Sequence, residues 1–242
     1  MSGMIANLQN QTKRLQSVFI MGFNGVLLMD VAGPAQVFAS TNKVLGWKAY
    51  DIAIGSEDGG DVATDTGLTL CADVSFATVA RADVFIVPGG PGIDQRLDDP
   101  LLQRFLKRVA PHMERFVSIC SGSLLTASAG LLNGRKATTH WERVNLARER
   151  FPSVDWHLDE IFTHDGKFHC SAGVTTGIDL ALSLVEADHG RRVALSVARE
   201  MVVFMQRQGG QSQYSEPLKA QATTSKRLCD LYCQIEQDPT AL

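Results

Sequence analysis

Cys120 ends the apolar run Phe116-Val117-Ser118-Ile119 and opens the small-residue stretch Ser121-Gly122-Ser123, which leads into Leu124-Leu125-Thr126-Ala127. A strand that breaks at a cysteine into a helix makes a nucleophile elbow. Such a turn holds the thiol clear of the sheet, and the first NH groups of the helix, at its positive dipole end, favour thiolate over thiol. Gly122 supplies the room the turn needs. The competing role for Cys120 is a small buried hydrophobe at a strand end, and the flanking residues favour the elbow.

Three further segments carry groups suited to meet this cysteine. Asp30, in Leu27-Leu28-Met29-Asp30-Val31-Ala32-Gly33-Pro34, is an acid between the first strand and a helix. Desolvated there, its carboxyl pKa rises, and it can hydrogen-bond a thiolate or shuttle a proton. It can equally cap the helix beside Gly33-Pro34, and both roles stay open. The turn Val87-Pro88-Gly89-Gly90-Pro91-Gly92 follows a buried strand. Backbone NH groups at Gly89 and Gly90, with that of Ser121, could bind an anion or a developing oxyanion. Pro91 and the glycine spacing exclude a dinucleotide fingerprint, and a tight turn needing positive φ is the plainer alternative. His140, in Ala137-Thr138-Thr139-His140-Trp141, could orient or deprotonate Cys120 or bind a polar ligand group. Beside Trp141, a structural hydrogen-bonding role is favoured. The histidines at 112, 157, 164, 169 and 189 are assigned nothing.

The elements that must position these groups follow from periodicity. Strand-length apolar runs at Val18 to Met21, Tyr50 to Gly55, Val84 to Val87 and Phe116 to Ile119 alternate with helical segments near Pro34 to Val44, Leu101 to Val109 and Ser121 to Ala129. This βα alternation implies a mostly parallel sheet with helices on both faces and ligand groups at the carboxyl ends of the strands. Trp156 to Thr163 and Lys167 to Ser171 bracket His164-Asp165-Gly166, a hairpin signal. Helices are expected over Thr176 to Glu186, stopped by Gly190, and over Arg191 to Gln206, with Ala194, Val197, Ala198, Met201, Val202 and Met205 as one apolar stripe. Residues 1–16 read as a loose arm and 17–214 as the folded domain. Residues 215–242 read as a linker with a last amphipathic piece over Leu228 to Ile235.

The chain has 242 residues, 45% hydrophobic and 20% charged, with a formal net charge of −3. That composition supports a sizeable core and gives no global field toward nucleic acid. No apolar stretch approaches a membrane span and the polar start has no signal-peptide core, so the chain reads as cytoplasmic with no membrane partner. The cysteines Cys71, Cys120, Cys170, Cys229 and Cys233 number five and include no close CxxC pair. They point to reduced thiols, with no metal site and no cofactor expected. Cys229 and Cys233, at i and i+4, read as half-buried helix residues.

Together these residues resemble the ThiJ/PfpI superfamily, whose domains share the class I glutamine amidotransferase-like sandwich with an elbow cysteine. The resemblance covers roughly Ser17 to Gln213. It is carried by Asp30 to Pro34 with Val37-Phe38, Val87 to Gly90, Cys120 to Ser123, Ala129 to Arg135, Ala137 to Trp141, and Ser171 to Asp179. It implies a flavodoxin-like, three-layer α/β sandwich. The intracellular-protease branch of that superfamily carries a glutamate in the first motif and a histidine after the cysteine. Asp30 and Ser121 stand at those positions here, which argues against peptidase activity.

Two branches keep the aspartate and a small hydroxyl residue: the isonitrile hydratases and the amino-terminal domains of AraC/XylS-type transcriptional regulators. The segment Ala198 to Val203 with Gln206 to Tyr214 is similar to the regulator branch, as are Leu228 to Tyr232 and Asp238-Pro239. The resemblance therefore implies the sensing and dimerisation portion of a longer regulator. It would hold a small-molecule effector at Gly89, Gly90, Cys120, Ser121 and His140, work as a homodimer, and bind DNA only through a C-terminal domain absent from this chain. The alternative it implies is a hydratase in which Cys120 and Asp30 convert isonitriles to formamides. A third reading is redox sensing through an easily oxidised thiolate.

Overall fold

The computed structural model describes residues 13–204 together with 207, 209, 210 and 213. Most of the expected amino-terminal arm and all of 215–242, with the Cys229/Cys233 helix, lie outside the described residues.

The central sheet is built from β1 (Gln16–Met21), β2 (Tyr50–Ser56), β5 (Val74–Ser75), β6 (Ala82–Val87), β7 (Met113–Ile119), β10 (Phe162–Asp165) and β11 (Phe168–Ser171). Their order is β10-β11-β7-β6-β1-β2-β5, parallel throughout except for β10, which pairs antiparallel with β11. Every residue of β6 is buried, as a central strand covered on both faces requires. Short ribbons β3 (Val62–Ala63) with β4 (Thr69–Leu70) and β8 (Lys136–Ala137) with β9 (Asp155–Trp156) lie apart from the sheet. Helices α1 (Leu28–Leu45), α5 (Thr175–His189) and α6 (Arg191–Glu200) pack on one another over one face. On the other lie α2 (Pro100–Val109) and α3 (Gly122–Ser128), while α4 (Val144–Arg150) follows the turn after His140. This is the expected three-layer sandwich. Free thiols among the described residues are Cys71, exposed, and Cys120 and Cys170, both buried. No helix among the described residues is long and apolar enough to cross a membrane.

Several boundaries differ from expectation for local reasons. β1 begins at Gln16, whose NH donates to Ala49 O at 2.8 Å, and Arg14 pairs with Asp83 and Glu114, so the chain is tied down before Ser17. α1 starts six residues ahead of Pro34, because Asp65 accepts the Leu28 NH at 2.9 Å and caps the helix from outside its own segment. Gly33 and Pro34 instead let α1 approach α5: a Cβ on Gly33 would stand 3.2 Å from Ile178, and Pro34 lies beside Gly177. The hairpin turn is Gly166-Lys167, with His164 and Asp165 inside β10, and Trp156 pairs with Ala137 rather than joining the hairpin. α6 stops at Glu200, short of Gln206. Val202 there turns left-handed at φ 55 and Val203 NH reaches back to Ala198 O at 2.9 Å, the closure that glycine usually provides. Ala194, Val197 and Ala198 of the expected stripe are buried, but Val202 is exposed and Met205 lies outside the described residues.

Candidate functional site

Cys120 sits between the end of β7 and the start of α3 with φ 56, a left-handed backbone that a non-glycine residue adopts at a cost of about 1–3 kcal/mol. Neighbouring elements hold it there. Its NH donates to Ser171 O at 2.9 Å, and its carbonyl accepts the hydroxyls of Ser123 at 2.9 Å and Thr139 at 3.1 Å. Close packing explains the surrounding glycines: a Cβ on Gly122 would fall 2.2 Å from Val87 O, and one on Gly173 would fall 2.3 Å from the Cys120 Cβ. The elbow geometry is present, with Gly122 in the role the sequence assigns it.

Asp30, in the first turn of α1, is fully buried against this elbow. Its two carboxylate oxygens accept the backbone NH of Gly89 at 3.0 Å and of Val174 at 2.8 Å. Asp30 is therefore the pin between the glycine turn after β6 and the loop before α5, and the capping role open to it in the sequence belongs to Asp65. Burial raises the Asp30 carboxyl to about 6; the two NH groups and the Cys120 thiol oppose that rise, and the Asp65 charge adds to it.

The glycine turn is less available than its sequence implies. The Gly89 NH is held by Asp30 and the Gly90 NH by Ser121 Oγ at 3.0 Å. Gly90 has φ 134, and its missing side chain admits Gly25 O and Leu27 N, so the tight-turn role is real. The expected thiolate is also corrected. Cys120 is 6% exposed, and burial first, then the nearby Asp30 charge, push its thiol up to about 12; the Ser121 NH and hydroxyl and the Arg143 charge pull the other way without prevailing. A seven-residue α3 offers too weak a dipole to offset the loss of solvent.

His140 caps the short turn Trp141–Arg143, its Nδ1 accepting the Glu142 NH at 3.4 Å. Burial lowers its pKa, the Glu142 charge partly offsets this and Arg143 adds to it. The imidazole thus makes a local hydrogen bond, on a segment whose Thr139 touches the elbow. Residues that sequence reasoning missed are Thr139, Ser123, Val174 and Arg143, the last bonded to Asp94 at 3.0 Å beyond the glycine turn. Val174 has φ 52, an outlier for a β-branched residue. Its only signal was membership of the Ser171 to Asp179 motif. Among the described residues, no group of three or more His, Cys, Asp and Glu side chains is placed to hold a metal ion.

A doubly wound parallel sheet with a cysteine at a left-handed strand-to-helix turn, faced by a buried acid, defines a class of α/β proteins built around an elbow cysteine. The chain belongs to the DJ-1/PfpI family, whose model matches residues 16–187. It is 34% identical over 176 residues to isonitrile hydratase of Pseudomonas putida, covering 71% of each protein. It is 28% identical over 216 residues to the HTH-type transcriptional regulator GbdR of Pseudomonas aeruginosa, covering 89% of this chain and 58% of the regulator. Among solved structures it resembles an AraC family transcriptional regulator from Pseudomonas putida, with a TM-score of 0.68 and 25% identity, over 77% of this chain and 99% of that one. The chain thus spans little more than half the length of GbdR.

Proposed function

We propose that this chain is the ligand-sensing and dimerising portion of an AraC-type transcriptional regulator. A small metabolite would be held at the Cys120 cleft, and DNA bound by helix-turn-helix motifs that follow in the full-length protein. One observation carries the reading: similarity to GbdR extends over 89% of this chain, past residue 187 where the family model ends, whereas similarity to the hydratase covers 71%. The state of Cys120 supports it. A peroxide sensor needs a standing thiolate, and burial pushes this thiol the other way, up to about 12. The effector would act by binding one arrangement of the dimer better than another. The gene's reading frame past the Leu242 codon tests this: a following domain with two helix-turn-helix patterns is expected, and a stop codon at that point overturns it.

A second reading, an isonitrile hydratase, is favoured by the pairing of Cys120 with a carboxyl near 6. There Asp30 would take the thiol proton as sulfur attacks the terminal isonitrile carbon and return it to that carbon to give a thioimidate; water would then add to the thioimidate carbon and release the formamide and the free thiol.

A further inference from the structure

Beyond α6 the described residues Arg207 and Gln213 turn back onto the two loops that close around the elbow. Arg207 donates to Asp179 through its NH at 3.1 Å, its Nε at 3.0 Å and a guanidinium nitrogen at 2.6 Å, and to Thr175 Oγ1 at 2.9 Å. Thr175 follows Val174, which binds Asp30, and Gly173, which packs on Cys120. Gln213 donates from Nε2 to Thr139 O at 2.9 Å and Thr138 Oγ1 at 3.1 Å, and Thr139 in turn binds the Cys120 carbonyl at 3.1 Å. Gln213 therefore stands two contacts from Cys120, and Arg207 reaches it through the 173–175 loop.

We propose that Arg207 and Gln213 are the output contacts of the Cys120 site. They fasten positions 207 and 213 to the loops at 138–139 and 173–175, so that any ligand displacing either loop changes the hold on those positions. The inference rests on the sensing role proposed above for that site.

The two contacts differ in strength. Arg207 is a charge-assisted clamp on a carboxylate that is 4% exposed. Gln213 is poised. Its Nε2 also faces the carbonyls of Leu158 at 2.9 Å and Glu160 at 3.3 Å, so two protons are shared among four oxygens. Its buried Oε1 meanwhile has no hydrogen-bond partner among the described residues. A buried acceptor left unpaired costs free energy that the loosened state regains from water. A shift of Thr138-Thr139 thus removes two of these oxygens and loosens Gln213, which keeps Leu158 O, Glu160 O and, through its own NH, Asp159 O at 2.8 Å, while Arg207 stays clamped.

The coupling must run both ways, so it can be read at Cys120 without knowing the ligand. Gln213→Ala and Arg207→Gln are made in this chain, iodoacetamide is added at pH 8.5, and the alkylation rate of Cys120 is followed by peptide mass spectrometry. Amide exchange of the central strand, residues 82–87, is recorded in parallel. The expected result is a rise of about tenfold in Cys120 alkylation in each variant, with exchange at 82–87 unchanged. An unchanged Cys120 rate overturns the proposal, and so does a rise matched by faster exchange at 82–87, because that is general loosening. Neither readout involves DNA or isonitriles, so the regulator reading can fall while the coupling stands, and the reverse.

Discussion

The Asp30 carboxylate accepts the backbone NH of Val174 at 2.8 Å across 144 positions of chain, and that bond joins the first turn of α1 to the entry of α5. With the Gly89 contact on its other oxygen, one fully buried side chain fixes the spacing of both loops that border Cys120.

Asp30 makes stability pH-dependent with a definite sign. Its carboxyl is raised from an ordinary value near 3.8 to about 6 in the fold. The stability it contributes is fully present below about pH 4 and is lost as pH rises through about 6, amounting to about 3 kcal/mol. Urea midpoints of the wild-type chain and Asp30→Asn, compared at pH 4.5 and pH 7.5, should show the wild type losing stability relative to the variant as pH rises. A pH-independent difference would mean that the carboxyl is not raised.

Asp188 has the opposite sign. It accepts the Tyr50 hydroxyl at 2.6 Å and a bidentate pair from the two terminal nitrogens of Arg115; burial raises its pKa, but the Arg115 and Tyr50 bonds outweigh burial and leave it lowered. Its contribution is present above about pH 4 and disappears as pH falls through its depressed value. Asp188→Ala strands a half-buried guanidinium and should cost about 2–4 kcal/mol at pH 7, with the variant and the wild type converging in acid. Chemical denaturation across that range is the check.

Gly173 permits the elbow sterically. A methyl group there would lie 2.3 Å from the Cys120 Cβ at a backbone φ of 101, so Gly173→Ala should destabilise the fold by about 2–4 kcal/mol. Gly134→Ala serves as the control: it has φ 68 but nothing near its missing Cβ, and should cost only the backbone strain of about 1 kcal/mol. Equal losses in the two variants would dismiss the contact with Cys120.

His140 separates a structural from a binding role. Its hydrogen bond to the Glu142 NH is long, at 3.4 Å, so His140→Ala should change the urea midpoint by less than the equivalent of about 1 kcal/mol. A larger loss would show that the ring carries packing beyond its cap.

The elbow was legible because an apolar run, a cysteine and a glycine are adjacent in sequence and the turn needs nothing else to be recognised. Asp30 was half legible. Gly33-Pro34 imitates a helix start, while the true cap, Asp65, lies 37 positions from the residue it serves. The charge state of Cys120 could not be read at all, since the local rule of an NH-rich helix start predicts a thiolate and only tertiary burial reverses it. The end of α6 was misplaced because Val202 occupies the left-handed position where sequence reading looks for glycine.

The proposal that this chain senses a ligand, against the alternative that it hydrates isonitriles, is tested most directly by turnover. The direct measurement is formamide production from a simple alkyl isonitrile at pH 7.5, by the wild-type chain and by Cys120→Ala. The account predicts that neither produces formamide above the buffer rate, in keeping with a thiol pushed up to about 12. Turnover by the wild type that disappears in Cys120→Ala would contradict it and establish the hydratase.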